Sequence, residues 1–206
     1  MSQVERFFVY GSLSKGMVHF DRIASFIKDI RPAWTLGHCY RLPVGYPVLL
    51  ESDPYASEVS GDRISGSLVE MEGSDLVFKI FDEFHGHSPL NPEKSLFNKK
   101  TVQVGCEDGE THDATVYLLN PAKLPAHSCR IAGGDWMKSL QDAAPLPQTL
   151  SEKQMNYVRR LGSSTGREIV PIDLALYREL MKLELIVDKG RRLALTKLGK
   201  EVYRFL

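Results

Sequence analysis

The run Ala143-Ala144-Pro145-Leu146-Pro147-Gln148-Thr149 divides the chain, because two prolines among small and polar residues oppose both a helix interior and a central strand. The apolar pattern differs on its two sides. Before it, residues 7–10, 33–42, 63–71, 99–104 and 114–119 are short runs rich in Val, Ile, Tyr and Phe, bounded by Gly, Pro or acidic turns, and read as strands. Residues 21–28 and 74–84 instead space apolar residues three and four apart, which predicts helices, the second capped by Ser74. The expectation is an α+β domain over residues 1–142, a linker over 143–150 and a second domain over 151–206, within the size range of one large or two small domains.

After the linker, Met155, Val158 and Leu161 mark a helix from 151 to 161 with Gly162 as its stop, and a second helix is expected over 172–185, with Asp173 near its start. Residues 186–195 read as two short strands around an Asp-Lys-Gly turn, and Thr196 reads as the cap of a last helix through Tyr203 and Phe205. Helix, helix, hairpin, helix, with the run ELIVDKGRRLALTKLGKEVY, resembles a small winged-helix module.

Lys plus Arg and Asp plus Glu both number 26, so the whole chain carries no net charge to argue for nucleic acid or an anionic membrane. The halves differ. Residues 1–150 hold 14 basic and 19 acidic side chains, a net −5, and residues 151–206 hold 12 and 7, a net +5. Lys189, Arg191 and Arg192 at the hairpin turn are candidate contacts for a nucleic-acid backbone or a protein partner. The apolar character of residues 173–180 favours protein contact or packing within the chain over base readout. No apolar run nears the ~20 residues that span a bilayer, the N-terminal residues lack a signal-peptide pattern, and the three cysteines are far apart. No membrane association and a reducing cytoplasm are the expectations.

The stretch with most chemical content is Phe7-Phe8-Val9-Tyr10-Gly11-Ser12-Leu13, an apolar strand running into a glycine turn. Glycine there permits positive φ and close approach, and successive N–H groups of such a turn can form a nest for a carboxylate or oxyanion. An ordinary strand-to-loop turn is the alternative.

Tyr-Gly-Ser-Leu after an N-terminal strand is similar to the signature of the γ-glutamylcyclotransferase-like family, which includes the AIG2-like proteins. Further segments resemble the family's in order: Gly37 to Leu42 with Gly45 to Val48, Gly66 to Met71, Phe97 to Val104, Ala114 to Tyr117, and Gly134-Asp135-Trp136. The resemblance implies a small mixed β-barrel flanked by helices, with a cavity beside the Tyr10–Leu13 loop. It also implies cyclisation of a γ-glutamyl group to 5-oxoproline, with release of an amine or amino acid and without metal or cofactor. Tyr10, Gly11, Ser12 and Leu13 would hold a small amine- or carboxylate-bearing ligand, bringing its α-amine against its γ-carbonyl. A family glutamate would move the proton. Here Phe81-Asp82-Glu83-Phe84-His85-Gly86 places His85 at that position, and Phe97 and Lys99 replace the family's Tyr and Arg. His85 and Glu83 are the candidate bases, with Glu93 as a third. The histidines and cysteines at 38–39, 85–87 and 127–129 fit no metal-ligand spacing. Ser12 reads as a positioning residue, and residues 162–167 read as a turn between helices. The alternative function is a non-enzymatic regulator or adaptor acting through the basic C-terminal module.

Overall fold

The structure, a computed structural model, describes residues 4–51, 61–165 and 168–206. They form two compact units, Met1–Leu42 with Tyr46–Ser139, and Pro43–Gly45 with Leu140–Leu206. Gly166 and Arg167 of the turn noted above lie outside the described residues.

In the first unit the strands are β1 (Val4–Val9), β2 (Ile27–Arg41), β3 (Pro47–Leu50), β4 (Asp62–Glu72), β5 (Phe97–Cys106), β6 (Thr111–Leu119) and β7 (Cys129–Arg130). The order β2-β4-β1-β6-β5 closes into a barrel because β2 also pairs with β5, at Ala33–Cys106 and Trp34–Gly105. β1 and β6 run parallel and the other barrel pairs are antiparallel. Beyond Gly37, β2 leaves β4 and pairs with β3 and β7. Closure removes the open sheet edges that would otherwise have to be protected. The expected mixed barrel with flanking helices is observed.

Helix α1 (Asp75–His85) forms as its pattern predicts. The Ser74 hydroxyl accepts the Val77 N–H at 3.3 Å, Val77 and Phe81 face inward, and Gly86 ends the helix with φ 59°. Phe81 stacks on Phe7 of β1 with ring centroids 4.3 Å apart, so the helix covers one side of the barrel. The helix expected at 21–28 is not formed. Phe20–Arg22 and Ala24–Phe26 are single 3-10 turns, and Ile27 already begins β2. A β-bulge explains the misleading spacing. Ile27 pairs with Met71 and Ile30 with Val69, so the extra residue between them returns two side chains three apart to one face.

In the second unit, α4 (Glu152–Ser163) starts from a capping box of Ser151 and Gln154, and α5 (Leu174–Lys182) starts from Asp173, whose carboxylate accepts the Leu176 N–H at 2.9 Å. Two earlier helices, α2 (Trp136–Asp142) and α3 (Leu146–Thr149), precede them. The hairpin is β8 (Ile186–Asp188) with β9 (Leu193–Leu195), and α6 (Lys197–Tyr203) follows with Thr196 accepting the Gly199 N–H at 2.9 Å. Three details depart from the sequence reading. The proline run contains α3, because its prolines sit at or before the first turn, where no intrahelical N–H is needed. α4 continues through Gly162, whose missing side chain makes room for Tyr203, since a Cβ there would lie 2.6 Å from that ring. α5 is shorter than 172–185 because Glu184 takes a left-handed conformation, φ 54°. Val158, Leu180, Leu185, Ile186 and Val202 make a core belonging to this unit alone.

Candidate functional site

β1 delivers Tyr10 and Gly11 to the start of a 3-10 turn, Gly11–Leu13. Gly11 has φ +70°, and a Cβ would lie 2.5 Å from Pro47 Cγ, so conformation and space both demand glycine. The Tyr10 hydroxyl donates to the Tyr117 carbonyl at 2.9 Å and accepts the Leu49 N–H at 3.1 Å, clamping the turn to β6 and β3. Burial pushes its pKa upward, so it stays protonated. Ser12 accepts the His19 N–H through its carbonyl at 3.0 Å, and its own N–H has no acceptor among the described residues. Leu13 is buried in the apolar cluster that also holds Phe81 and Tyr117.

A cavity of about 120 Å³ opens beside this turn. Tyr10, Gly11, Ser14 and Met17 line it together with Cys39, Pro47, Ile64, Ser65 and the segment Gly134–Met137. Burial pushes the Cys39 thiol up to about 12, with the Asp62 charge adding to the effect, so the cavity meets a neutral sulfur. Asp135 is exposed, and its Oδ1 accepts the Lys138 N–H at 3.0 Å. No chemical motif in the sequence points to the Gly134–Met137 part of this lining, and Gly134-Asp135-Trp136 stands out there only through the family resemblance.

His85 does not line this cavity. It ends α1 with its ring stacked 4.2 Å from Tyr117 and with Phe84 and Phe97 edge-on at 5.0 and 5.3 Å. Its Nδ1 lies 2.9 Å from the Phe81 carbonyl, which can only accept, so Nδ1 carries the proton and Nε2 is the basic nitrogen. Burial among these rings lowers its pKa to about 4, against smaller opposing effects from the Phe81 carbonyl and Asp82. Asp82 accepts the Tyr117 hydroxyl at 2.5 Å and pairs with Lys99 at 3.5 Å. His85, Phe97 and Lys99 therefore fall around one Asp82–Tyr117 pair. Glu83 faces solvent, 70% exposed, and pairs with Lys79 on its own helix at 3.8 Å. Glu93 is also exposed. Among the described residues no group of three or more His, Cys, Asp and Glu is placed to hold a metal ion.

Lys189, Arg191 and Arg192 are exposed at the β8–β9 turn. Asp188 shapes this turn by accepting the Gly190 N–H at 2.7 Å, and the Lys189 N–H bonds the Arg192 carbonyl at 2.8 Å. Among the described residues no helix is long and apolar enough to cross a membrane.

A closed five-strand barrel carrying a clamped Tyr-Gly-Ser-Leu turn and a helix on one side defines a cyclotransferase-like protein. The chain belongs to the family described as Gamma-glutamyl cyclotransferase, AIG2-like, whose pattern matches residues 7–138. Among solved structures it is similar to YkqA from Bacillus subtilis, at 21% identity over 68% of this chain with TM-score 0.49. The chain covers 42% of that protein's length. It is also similar to At5g39720.1 from Arabidopsis thaliana, at 20% identity over 68% of this chain and 84% of that one, with TM-score 0.48. An AIG2-like protein from Mus musculus aligns at 19% identity over 61% of this chain and 86% of that one, with TM-score 0.43. No curated protein matches the chain.

Proposed function

We propose that the barrel unit binds a γ-glutamyl or similar small amine-bearing ligand in the cavity beside Tyr10 and Gly11, and does not cyclise it. The carrying observation is the separation of the two features that cyclisation needs together. The open cavity is lined by the Tyr10–Gly11 turn and the Gly134–Met137 segment, whereas His85, at the family's glutamate position, is packed into an aromatic cluster and does not line it. Cyclisation needs the α-amine to lose a proton as its nitrogen bonds the γ-carbon, and the departing nitrogen to gain one. Protonating His85 would place a cation among Phe81, Phe84, Phe97 and Tyr117, which its lowered pKa already opposes. The cavity, by contrast, keeps what binding requires: a rigid turn, a small volume and a mixture of apolar and polar walls. Calorimetric titration with γ-glutamyl dipeptides and γ-glutamyl amines tests this. Saturable binding is expected, and Ser65→Phe, filling the cavity from an exposed strand position, is expected to abolish it. No binding, or binding unchanged in that variant, overturns the reading.

A second reading rests on the C-terminal unit, whose helix, helix, hairpin, helix order supports a winged-helix-like assignment. Lys197, Lys200 and Arg204 share one face at α6, adjoining Lys189, Arg191 and Arg192 in the chain. None of these six pairs with an acidic side chain among the described residues. Such a surface suits an adaptor for an anionic partner, DNA or an acidic protein. DNA binding would weaken steeply with salt. Electrophoretic shift of a DNA duplex by the full chain, lost in Arg191→Glu/Arg192→Glu, supports the DNA version, and the absence of salt-dependent affinity removes it.

A further inference from the structure

The charges around the cavity narrow the ligand class beyond the reading just given. Asp135 carries the only formal charge among the twelve residues lining it, and no Lys, Arg or His is among them. The Asp135 Oδ1 is engaged by the Lys138 N–H, leaving Oδ2 for a ligand. The Tyr10 proton is committed to the Tyr117 carbonyl and so is not offered to an anion. Cys39 contributes a neutral thiol, a weak donor at best. Ser14 and Ser65 supply hydroxyls that donate or accept as the ligand requires. A carboxylate placed here meets a like charge and no counter-ion, whereas an ammonium meets a carboxylate and hydroxyl acceptors. Met17, Pro47, Ile64, Trp136 and Met137 give the rest of the wall an apolar character suited to methylene groups. The cavity, of about 120 Å³, is open and has room for a short chain and its head.

We propose that this cavity selects a short ligand bearing a primary ammonium over one whose only charge is a carboxylate, with Asp135 as the counter-ion. The inference deepens the ligand-binding reading above and rests on it. An amine held in this way is protonated and has no lone pair for attack on a carbonyl, so the same contact that retains the ligand also withholds it from cyclisation.

The test uses the full chain labelled with ¹⁵N and titrated with n-pentylammonium, pentanoate and 1-pentanol, following the Gly11 and Trp136 amide shifts. Pentylammonium is expected to bind at least about tenfold more tightly than pentanoate, with pentanol between them. Asp135→Asn keeps an oxygen for the Lys138 N–H, and it is expected to reduce the preference for ammonium over carboxylate to less than about twofold. Equal binding of the two ions to the wild type, or a preference that survives in Asp135→Asn, overturns the inference. If γ-glutamyl compounds still bind in either case, the ligand-binding reading stands without it. If neither those compounds nor the three probes shift Gly11 and Trp136, both fall.

Discussion

Tyr10 and His85 show how the same physical setting gives residues different roles. Both are aromatic, polar at one end and largely enclosed, but only Tyr10 faces the cavity. Tyr10→Phe leaves the Leu49 N–H and the Tyr117 carbonyl without their side-chain partner, which is expected to cost about 1–3 kcal/mol. Urea denaturation at neutral pH checks this. For His85 the prediction concerns pH. Its folded pKa of about 4 lies below the ordinary value of 6.5, so above 6.5 neither state binds the proton. Between 6.5 and 4 the unfolded chain takes up a proton that the folded one refuses, and stability falls as pH falls through that window. The loss is expected to reach at most about 3 kcal/mol, given the partial exposure of the ring. Denaturation curves at pH 7.5 and 4.5 for wild type and His85→Gln measure it, the variant losing less over the interval.

At the scale of elements, Gly162 sets two known magnitudes against each other. Alanine in a helix interior is favoured over glycine by about 1 kcal/mol. A Cβ at 162 would lie 2.6 Å from the Tyr203 ring, and such overpacking costs about 1–3 kcal/mol. Gly162→Ala is therefore expected to destabilise by about 1 kcal/mol net, and a raised melting temperature would contradict the packing described for α4 and α6. This glycine also shows where sequence reading stops. Local chemistry was legible: Ser74 and Thr196 cap the helices they were expected to cap, Asp173 stands at the start of its helix, and the Asp-Lys-Gly turn joins β8 to β9. Signals depending on a distant partner were not. Gly162 reads as a stop until Tyr203 is known to fill its space, and Ile27 with Ile30 read as helical until β4 supplies a bulged ladder. β3 is four buried residues with no alternation to betray it. For the site, the Tyr10–Leu13 turn was visible in one stretch of chain. The cavity was not, because part of its lining arrives more than a hundred residues later at Gly134–Met137.

On the scale of the whole molecule, zero net charge is the sum of two unlike units. The barrel, in an acidic stretch, carries the Tyr10–Leu13 turn beside a cavity that His85 does not line. The C-terminal unit, in a basic stretch, carries its cations at a hairpin and along a helix face. In the function proposed above, ligand binding without cyclisation joined to a basic module would make a sensor of a small amine, and the absence of turnover is what sets it apart from an enzyme. The most direct measurement is 5-oxoproline release during incubation with γ-glutamyl dipeptides and γ-glutamyl amines at ligand concentrations that saturate binding. The account predicts no product above the uncatalysed rate from wild type or from His85→Ala. Product formed by the wild type and lost in His85→Ala would contradict it.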